Sequence, residues 1–437
     1  MAEARLARNP TSIAGAVITT IAALAFLLFV ALESFDLLNS PYAGLLGYVL
    51  IPAAFLLGLA LIPFGMWREG RRRKLGRAAW NWPAIDLGHP ATLRTIAAVG
   101  VLTLVNLGVV AVASVGVVHY TESNKFCGAV CHTPMTPQFT AHGFSPHSHV
   151  ECVSCHVGPG AKGLVSAKLN GTRQLYEFVL GSYSRPIPEP LGRIPGAADT
   201  CMHCHTPGRP SEDIIKTKLA YADDEQSTES ASTLTMHLGA IHWHARPDVV
   251  VEYVASDAAR QTIPYVKVTD AQGKASEFFA EGVTARPAGE LHRMDCIDCH
   301  NRPAHTFSVS ADKAADALIA SGAVKRDVPF LKKELVAALS AEYASHEAAD
   351  TGIANHLRQA WKSADARLAP EIDRAVTAAQ QLYRHNVFPD MKVTWGTYLS
   401  QLGHMDAPGC TRCHDDSHKS TAGAVIKNDC ESCHKMQ

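Results

Sequence analysis

Residues 121–156 read TESNKFCGAVCHTPMTPQFTAHGFSPHSHVECVSCH, a stretch in which two cysteine pairs each end in Cys-His. Two residues separate Cys152 from Cys155 in the second group, whereas three separate Cys127 from Cys131 in the first. All 12 cysteines of the chain belong to six groups of this kind. The other four are Cys201/Cys204-His205, Cys296/Cys299-His300, Cys410/Cys413-His414 and Cys430/Cys433-His434. The chemistry of these groups therefore decides how the chain beyond residue 120 folds.

A Cys-x-x-Cys-His sequence is the pattern by which haem c is attached to a protein. The two thiols bond to the two vinyl groups of one porphyrin, and the following histidine binds the iron from one side. A disulfide framework gives no reason for a histidine after every second cysteine, and zinc sites carry their histidines at looser spacing. We therefore predict six covalently attached haem c groups, with iron ligands at His132, His156, His205, His300, His414 and His434.

Haem iron usually takes a second axial ligand from elsewhere in the chain, commonly histidine or methionine. Sixteen of the 22 histidines lie outside the six groups. The best candidates stand in short, loop-like phrases such as SPHSHVEC and IHWH, and they are His147, His149, His242, His244, His305, His404 and His418. Met135 is a further candidate for the first haem, because a thioether sulfur can replace the imidazole.

Three long uncharged stretches precede the first cysteine group, at residues 12–32, 37–67 and 95–120. Each has at least the about 20 residues that cross a bilayer as a helix. A signal peptide is the alternative for the first stretch, because Arg5 and Arg8 precede it, but no convincing small-residue cleavage site follows. We predict a membrane anchor of three transmembrane helices over residues 1–120.

Basic residues set the orientation of these helices, since short segments rich in Lys and Arg stay in the cytoplasm. The N-terminus is basic, and REGRRRKLGR at residues 68–77 is predicted to be a basic loop between the second and third helices. The turn between the first two helices carries Glu33 and Asp36 instead. Residues from 121 onward are therefore predicted to face the periplasm from a bacterial inner (cytoplasmic) membrane, on the side where haem is attached to c-type cytochromes.

The region with the cysteine groups is predicted to contain helices, loops and a few strands, with buried haems supplying much of its core. Residues 311–384, rich in Ala, Leu, Lys and Glu, favour three or four helices. Residues 248–282 alternate like short strands, and the polar residues 223–232 are predicted to be a loop. The predicted fold class is three transmembrane α-helices plus a mostly α, loop-rich periplasmic multihaem cytochrome c region with a few short strands.

The phrases TESNKFCGAVCHTPM and SPHSHVECVSCHVGPGAKG resemble the NapC/NirT family of membrane-anchored multihaem quinol dehydrogenases. The resemblance extends from the third uncharged stretch to about residue 208 and includes YSRPIPEP. The phrases IHWH, MDCIDCHNRPAHTF and FPDMKVTWGTYLSQLGH resemble a larger, several-haem branch found in metal-reducing bacteria. The resemblance implies a three-haem domain at 121–208, followed by a second three-haem domain with a helical insert at 209–437.

Family membership implies that the protein oxidises membrane quinol beside the first haem and passes electrons to a periplasmic acceptor or cytochrome. The chain supports a site at the membrane surface, since Cys127 follows Tyr120 by only seven residues. Candidate proton acceptors for a quinol come after the second cysteine group, at Lys162, Lys168, Gln174 and Glu177. In small family members a methionine shortly after the first Cys-His binds the first iron, and here Met135 lies one residue further on.

Two other classes of function stay open at this point. A terminal reductase of a small oxyanion needs an iron with an open position, often marked by Lys in place of the histidine, whereas all six groups here end in His. A haem-based sensor has no need of six haems. The net charge of −1 gives no indication of a nucleic-acid partner. The predicted partners are therefore membrane lipid, quinol and a periplasmic electron acceptor.

Overall fold

The chain forms two compact units, Met1–Thr121 and Glu122–Gln437. The computed structural model describes residues 6, 9–34, 50–76, 90–130, 132–158, 160–189, 194–205 and 212–437. The described part of the first unit consists of helices, and the second unit combines helices, short strands and loops. The predicted domain boundary near residue 208 falls outside the described residues.

Three helices are long and apolar enough to cross a membrane. They are α1 (Pro10–Ser34), α2 (Ile51–Lys74) and α3 (Pro90–Glu122). Each coincides with one of the three uncharged stretches, although residues 37–49 of the second stretch lie outside the described residues. The 33 residues of α3, at about 1.5 Å per residue, span roughly 50 Å and exceed the thickness of the bilayer hydrocarbon. Part of α3 therefore extends beyond the apolar layer.

The basic segment after the second stretch is helical, where the sequence predicts a loop. Helix α2 continues through Arg71, Arg72 and Arg73 before it ends at Lys74. Arg and Lys are good helix formers, and positive charges in the last turn offset the negative end of the helix dipole. Arg73 Nε also lies 3.0 Å from the carboxylate of the buried Glu69, one turn earlier. The segment keeps the positive charge on which the orientation argument depends.

Small residues allow α1 and α2 to pack closely against each other. A Cβ atom added to Gly58 would come within 2.4 Å of Thr19 Oγ1, and one added to Gly15 within 2.7 Å of the Gly58 carbonyl oxygen. The Ser12 hydroxyl donates a hydrogen bond of 2.8 Å to the carbonyl of Ile62 across the same contact. Small residues and hydrogen bonds of this kind hold helices together in a membrane, where apolar side chains gain little from association.

Short helices and turns surround the cysteine groups of the second unit, and longer helices follow them. In chain order the helical elements are a π-helical turn (Phe126–Val130), α4 (His132–Gly143), α5 (Cys152–His156), α6 (Gly160–Val179), α7 (Leu238–Ile241), α8 (Ala311–Ala320), α9 (Leu331–Ser340), α10 (His346–Ala360), α11 (Ala369–Asn386) and α12 (Cys430–Cys433). Short 3₁₀ turns occupy Ala197–Asp199, Cys201–His203, His242–Ala245, Cys296–Asp298, Ala366–Leu368, Pro389–Met391 and Gly409–Arg412.

The strands of the described residues form two antiparallel sheets. The three-stranded sheet has the order β1 (Ile214–Tyr221), β2 (Glu229–Met236), β8 (His434–Met436). The five-stranded sheet has the order β6 (His292–Arg293), β3 (Val250–Val254), β4 (Tyr265–Thr269), β5 (Ala275–Phe279), β7 (Lys419–Ser420). Strands β3, β4 and β5 lie where the alternating sequence predicts strands. Each sheet also contains one strand from the end of the chain. These two strands join the last two cysteine groups to residues from the middle of the chain.

The helical insert predicted within residues 311–384 is confirmed as α8 to α11, which pack around one apolar core. Leu331, Leu335 and Leu339 recur every four residues on α9 and are fully buried, as one face of a helix requires. Ser310 and Ser345 precede α8 and α10, and their hydroxyls accept backbone hydrogen bonds from the first turn. Each cap contributes about 1 kcal/mol to helix stability.

Candidate haem-binding sites

The cysteine groups adopt a short turn that carries both thiols and the histidine. In three groups the backbone N–H of the histidine donates to the carbonyl of the first cysteine, at 2.7 Å for His300–Cys296, 2.8 Å for His205–Cys201 and 3.0 Å for His414–Cys410. None of the eleven cysteines that the structure describes forms a disulfide. Both thiols and the imidazole of a group therefore stay available on one turn, as attachment of a haem requires.

The cysteines differ in their exposure to solvent. Cys204, Cys410 and Cys430 are exposed, whereas the other described cysteines are partly buried. Cys204 stands directly after the 3₁₀ turn Cys201–His203, where the chain leaves that turn. An attachment motif fixes the spacing of its thiols along the chain, but their burial depends on how the turn packs. The exposed thiol of Cys204 is accessible to a haem vinyl group, and haem attachment at this residue stays a prediction.

The first cysteine group, which has one extra residue, includes the π-helical turn Phe126–Val130. A π turn holds one residue more than an α turn, so the backbone can absorb the insertion after Cys127. Gly128 lies against Phe139, and a Cβ atom added there would come within 2.2 Å of the ring. Cys131 and the side chain of His132 lie outside the described part of the chain.

Five histidines of the cysteine groups each lie opposite a second histidine from outside the groups. The ring centroids are 6.1 Å apart for His156–His305, 6.0 Å for His205–His147, 6.2 Å for His300–His242, 5.9 Å for His414–His244 and 6.1 Å for His434–His404. A metal–imidazole bond is about 2 Å long, so two rings on opposite sides of one metal have centroids about 6 Å apart. Each pair therefore leaves room for one iron between its rings.

Backbone carbonyls orient four of the second histidines through their Nδ1 atoms. The pairs are His147 with Pro303 (2.9 Å), His305 with Gln138 (3.0 Å), His242 with Leu238 (3.1 Å) and His244 with Ile241 (3.0 Å). A carbonyl can only accept, so each imidazole carries its proton on Nδ1 and leaves Nε2 for a metal. These residues fit haem iron, which takes two axial ligands from the protein.

Burial favours the neutral form of these imidazoles. It lowers the pKa of His305 to about 4, and it also lowers the pKa of His244 below its usual value. A metal binds the neutral ring, so a low pKa removes proton competition for the ligand. Both rings are therefore in the ligand form at neutral pH.

His418, a predicted ligand, is buried in a different setting. Its Nδ1 lies 2.8 Å from the carboxylate of Asp415, and its Nε2 donates to the carbonyl of Ile263 at 2.7 Å. Both ring nitrogens are thus engaged by the protein, and neither is directed to a histidine of a cysteine group. In this arrangement His418 joins β7 to the loop before β4.

The remaining predicted ligands, His149 and Met135, do not belong to the five pairs. His149 is exposed, and Met135 is half-buried on α4, one turn after His132. His142, which the sequence reasoning did not select, lies 6.1 Å from His305, and its Nε2 donates to the carbonyl of Val150 at 3.0 Å. No pattern in the sequence distinguishes His142 from the other histidines.

Hydrogen bonds join cysteine groups that follow each other in the chain. They connect the first group to the second, the third to the fourth, the fourth to the fifth and the fifth to the sixth. The atoms are Cys152 N with Asn124 Oδ1 (2.7 Å), Ala197 N with Asp295 Oδ2 (2.7 Å), Arg412 Nη2 with the Asp298 carbonyl (2.6 Å) and His414 Nδ1 with the Lys427 carbonyl (2.9 Å). Sequence reasoning missed Asn124, Asp295, Asp298, Arg412 and Lys427 as linking residues, although each stands inside a cysteine group or within a few residues of one.

The thiols of the second and third groups also lie near each other. Burial raises the pKa of the Cys155 thiol, and the neighbouring thiols of Cys201 and Cys204 raise this pKa further. A like charge has such an effect only at short range. His147, five residues before Cys152, also lies opposite His205 of the third group at 6.0 Å between ring centroids.

The four candidate proton acceptors all lie on α6. At 3.6 residues per turn, Lys162, Gln174 and Glu177 occupy one side of the helix and Lys168 another. Glu177 is half-buried and lies 3.2 Å from Arg173, whereas Lys168 and Gln174 are exposed. The side chain of Lys162 is not among the described residues. The helix therefore does not bring all four positions to one point.

Paired cysteines next to a histidine, with a second histidine across the space of one iron, define a c-type cytochrome. The three apolar helices of the first unit add a membrane anchor to this class.

Comparison with known proteins gives the family. The model of the NapC/NirT cytochrome c family, N-terminal region, matches residues 90–187. The cytochrome c-type protein ImcH of Geobacter sulfurreducens is 36% identical over 450 residues, which cover 98% of this chain and 88% of that protein. No solved structure matches the chain. The chain belongs to the NapC/NirT cytochrome c family, as its cysteine groups and their flanking phrases predict.

Proposed function

We propose that this protein is a hexahaem cytochrome that oxidises membrane quinol and passes electrons to a periplasmic acceptor. The observation that best supports this function is the series of five histidine pairs, each beside a different cysteine group. The haems, when bound, supply the one-electron redox chemistry. Two histidines per iron leave no open position at these five sites, which suits an electron carrier better than a reductase of a small substrate.

The proposed ligands of the second to sixth irons are the two histidines of each pair. For the first iron we propose His132 and keep Met135 and His149 as candidates for the second ligand. His418 is left out of this assignment, because both of its ring nitrogens are hydrogen-bonded within the protein.

The proposed entry of electrons is the three-haem domain at 121–208, and the proposed exit lies in the second domain at 209–437. Cys127 follows the end of α3 at Glu122 by five residues, so the first group belongs near the membrane surface. The contacts between consecutive groups support an order in space that follows the order in the chain. For the protons of the quinol we propose Glu177 on α6, with Lys162 on the same side of the helix; Gln174 is a neutral amide that can form a hydrogen bond but takes up no proton.

Six haems should be visible in the mass of the intact protein. Mass spectrometry is expected to give the polypeptide plus six haems, because six complete cysteine groups are present. The double substitution Cys430→Ser and Cys433→Ser should remove one haem and leave five. A wild-type mass corresponding to four or fewer haems contradicts the hexahaem proposal.

The haem-bearing unit should face the periplasm. Reporter domains fused after Ala79 are expected to be active in the cytoplasm, and reporters fused after Gln437 in the periplasm, because the basic end of α2 stays inside. Alkaline phosphatase and a fluorescent protein that folds only in the cytoplasm give opposite readouts at each site. The reverse pattern overturns the topology.

Quinol should reduce the haems in the purified protein. Stopped-flow absorbance with short-chain analogues of both ubiquinol and menaquinol is expected to show haem reduction by at least one of them. Glu177→Gln should slow this reduction by about tenfold or more, because Glu177 is the proposed proton acceptor. The same substitution at Glu342, an exposed residue of the helical insert, serves as the matched control. If dithionite reduces all haems and neither quinol analogue reduces any, quinol is not the electron donor.

A further inference from the structure

An exposed apolar face runs along α6. Val165, Leu169, Tyr176 and Val179 are exposed to 57%, 69%, 65% and 72%. Spacings of four, seven and three residues place them on one side of the helix. A contiguous apolar face of several large side chains on the surface of a protein marks an interaction site.

The charges of α6 favour an anionic membrane as the partner. The helix carries Lys162, Lys168 and Arg173 against a single acidic residue, Glu177. Basic side chains next to a bilayer are attracted by anionic lipid headgroups, and their aliphatic stems can lie along the apolar layer. Tyr176, within the apolar face, is of a type enriched at the membrane–water interface.

The position of α6 in the chain also favours the membrane. Asn124, two residues after the end of α3, accepts a hydrogen bond from Cys152 N at 2.7 Å and donates to the carbonyl of Val150 at 3.4 Å. These contacts hold the segment before α5 against Asn124, which follows the end of α3 by two residues in the chain. Helix α6 begins at Gly160, four residues after α5 ends.

We propose that α6 lies in the plane of the membrane interface, with Val165, Leu169, Tyr176 and Val179 in the acyl layer. Helices with one apolar face and a basic polar face bind bilayers in this way. The proposal concerns how the second unit meets the lipid and does not depend on quinol oxidation.

The experiment places a fluorescent thiol label at Leu169→Cys, at Tyr176→Cys and, as a control on the polar side, at Gln174→Cys. The full-length haem-loaded protein is reconstituted into vesicles that contain phosphatidylglycerol. The native cysteines are bound to haem, and the protein without an added cysteine gives the background. Brominated lipid is expected to quench the labels at 169 and 176. Iodide in the buffer is expected to quench the label at 174.

Two results overturn the proposal. In the first, iodide quenches the label at 169 as strongly as the label at 174, which would mean that the apolar face of α6 is in water. In the second, the labels at 169 and 176 are shielded from both quenchers, and protein or haem covers the face instead of lipid.

A second observation concerns the fourth and fifth sites. The 3₁₀ turn His242–Ala245 supplies both of their second histidines, since His242 lies opposite His300 and His244 lies opposite His414. The carbonyls that orient the two rings belong to the residues just before this turn. A movement of the turn therefore moves a ligand of each site.

The cysteine groups of the same two sites are also joined. Arg412, inside the fifth group, donates to the carbonyls of Asp298 inside the fourth group (2.6 Å) and of Arg260 (3.0 Å). The carboxylate of Asp298 is buried and accepts from Arg260 Nη1 at 2.9 Å and from Tyr253 at 2.5 Å. The two sites therefore share contacts on each side of the iron, since their cysteine groups are joined to each other and their second histidines lie on one turn.

We infer that the fourth and fifth haem sites form one coupled unit, in which His242 and His244 bind the two irons and Arg412 is a positioning residue. This inference rests on the proposed ligation. A change at one site should alter the electronic environment of the other, and the turn between the ligands transmits it.

Electron paramagnetic resonance and potentiometric titration of the full-length protein test this coupling. His242→Ala is expected to convert one haem to high spin and to shift the low-spin signal and midpoint potential of a second haem. His244→Ala should do the reverse, which identifies the two signals. Arg412→Lys, which keeps the charge and loses the paired contacts to the carbonyls, should shift both potentials without a high-spin haem.

His404→Ala is the matched control and is read at the fourth haem, because His404 pairs with His434 of the sixth group and the hydrogen bond of His414 to Lys427 joins that group to the fifth. It should change its own haem and leave the signal of the fourth haem unshifted. If His242→Ala and His244→Ala produce no high-spin haem, the proposed ligation is wrong. If each produces a high-spin haem and leaves every other signal unchanged, the ligation stands and the coupling is refuted.

Discussion

Replacement of His305 by alanine is expected to convert one of the proposed six haems from low spin to high spin. His305 faces His156 across 6.1 Å, and its Nδ1 is engaged by the carbonyl of Gln138, which leaves Nε2 for the iron of the second site. Its pKa of about 4 keeps the ring neutral. Without this ring one axial position is open, and a high-spin absorption and resonance signal should appear.

His418→Ala is the control for the loss of a buried histidine. Both nitrogens of His418 are hydrogen-bonded within the protein, so this substitution should lower stability by about 1–3 kcal/mol through the lost buried hydrogen bonds and leave all haems low spin. Visible spectra and electron paramagnetic resonance distinguish the two variants. A low-spin spectrum for His305→Ala, or a high-spin haem for His418→Ala, contradicts the assignment of ligands.

Replacement of Lys332 by alanine is expected to destabilise the helical insert by about 3–5 kcal/mol, the usual cost of leaving a buried charge without its partner. Lys332 is 1% exposed, and its ammonium lies 2.5 Å from the carboxylate of the buried Asp316 and donates to the carbonyl of Asp312 at 2.7 Å. These contacts join α9 to α8. Thermal unfolding of the full-length protein, followed by far-ultraviolet circular dichroism, should begin at a lower temperature.

The double variant Lys332→Met and Asp316→Asn tests whether the unpaired carboxylate causes the destabilisation. It removes both charges and keeps an amide oxygen that can accept from the backbone N–H of Tyr221, as Asp316 does at 3.1 Å. We expect it to be more stable than Lys332→Ala. Equal stability of the two variants would contradict the unpaired carboxylate as the cause, because the double variant removes that charge and keeps most of the buried volume.

Local signals in the sequence predicted much of the fold. The described parts of the uncharged stretches that precede the first cysteine group are helical, because in a long apolar segment the helix satisfies the backbone hydrogen bonds internally. The helical insert followed from the period of its apolar residues, as Leu331, Leu335 and Leu339 illustrate. The alternating residues within 248–282 form strands, because a period of two matches the pleated surface of a sheet.

Neighbouring secondary-structure elements explain where the sequence-based prediction differed from the structure. The segment 223–232 is polar and reads as a loop, yet β2 begins at Glu229, because residues 229–232 pair with residues 218–221 of β1. The basic segment after the second span is helical through Lys74, because the preceding helix propagates into residues that favour helix. Neither outcome can be read from the composition of the segment alone.

The sequence by itself determined that haem is attached, since Cys-x-x-Cys-His places every attachment atom within one short turn, and it determined the candidates for the second ligands. Only the tertiary structure decided which histidine faces which. The partner of His156 is His305, and the partners of His300 and His414 are two residues apart on one turn. The physical reason is the distance along the chain between the groups that must meet. A motif fixes groups that are adjacent along the chain, whereas a second ligand arrives from a distant loop and depends on the packing of every element between them.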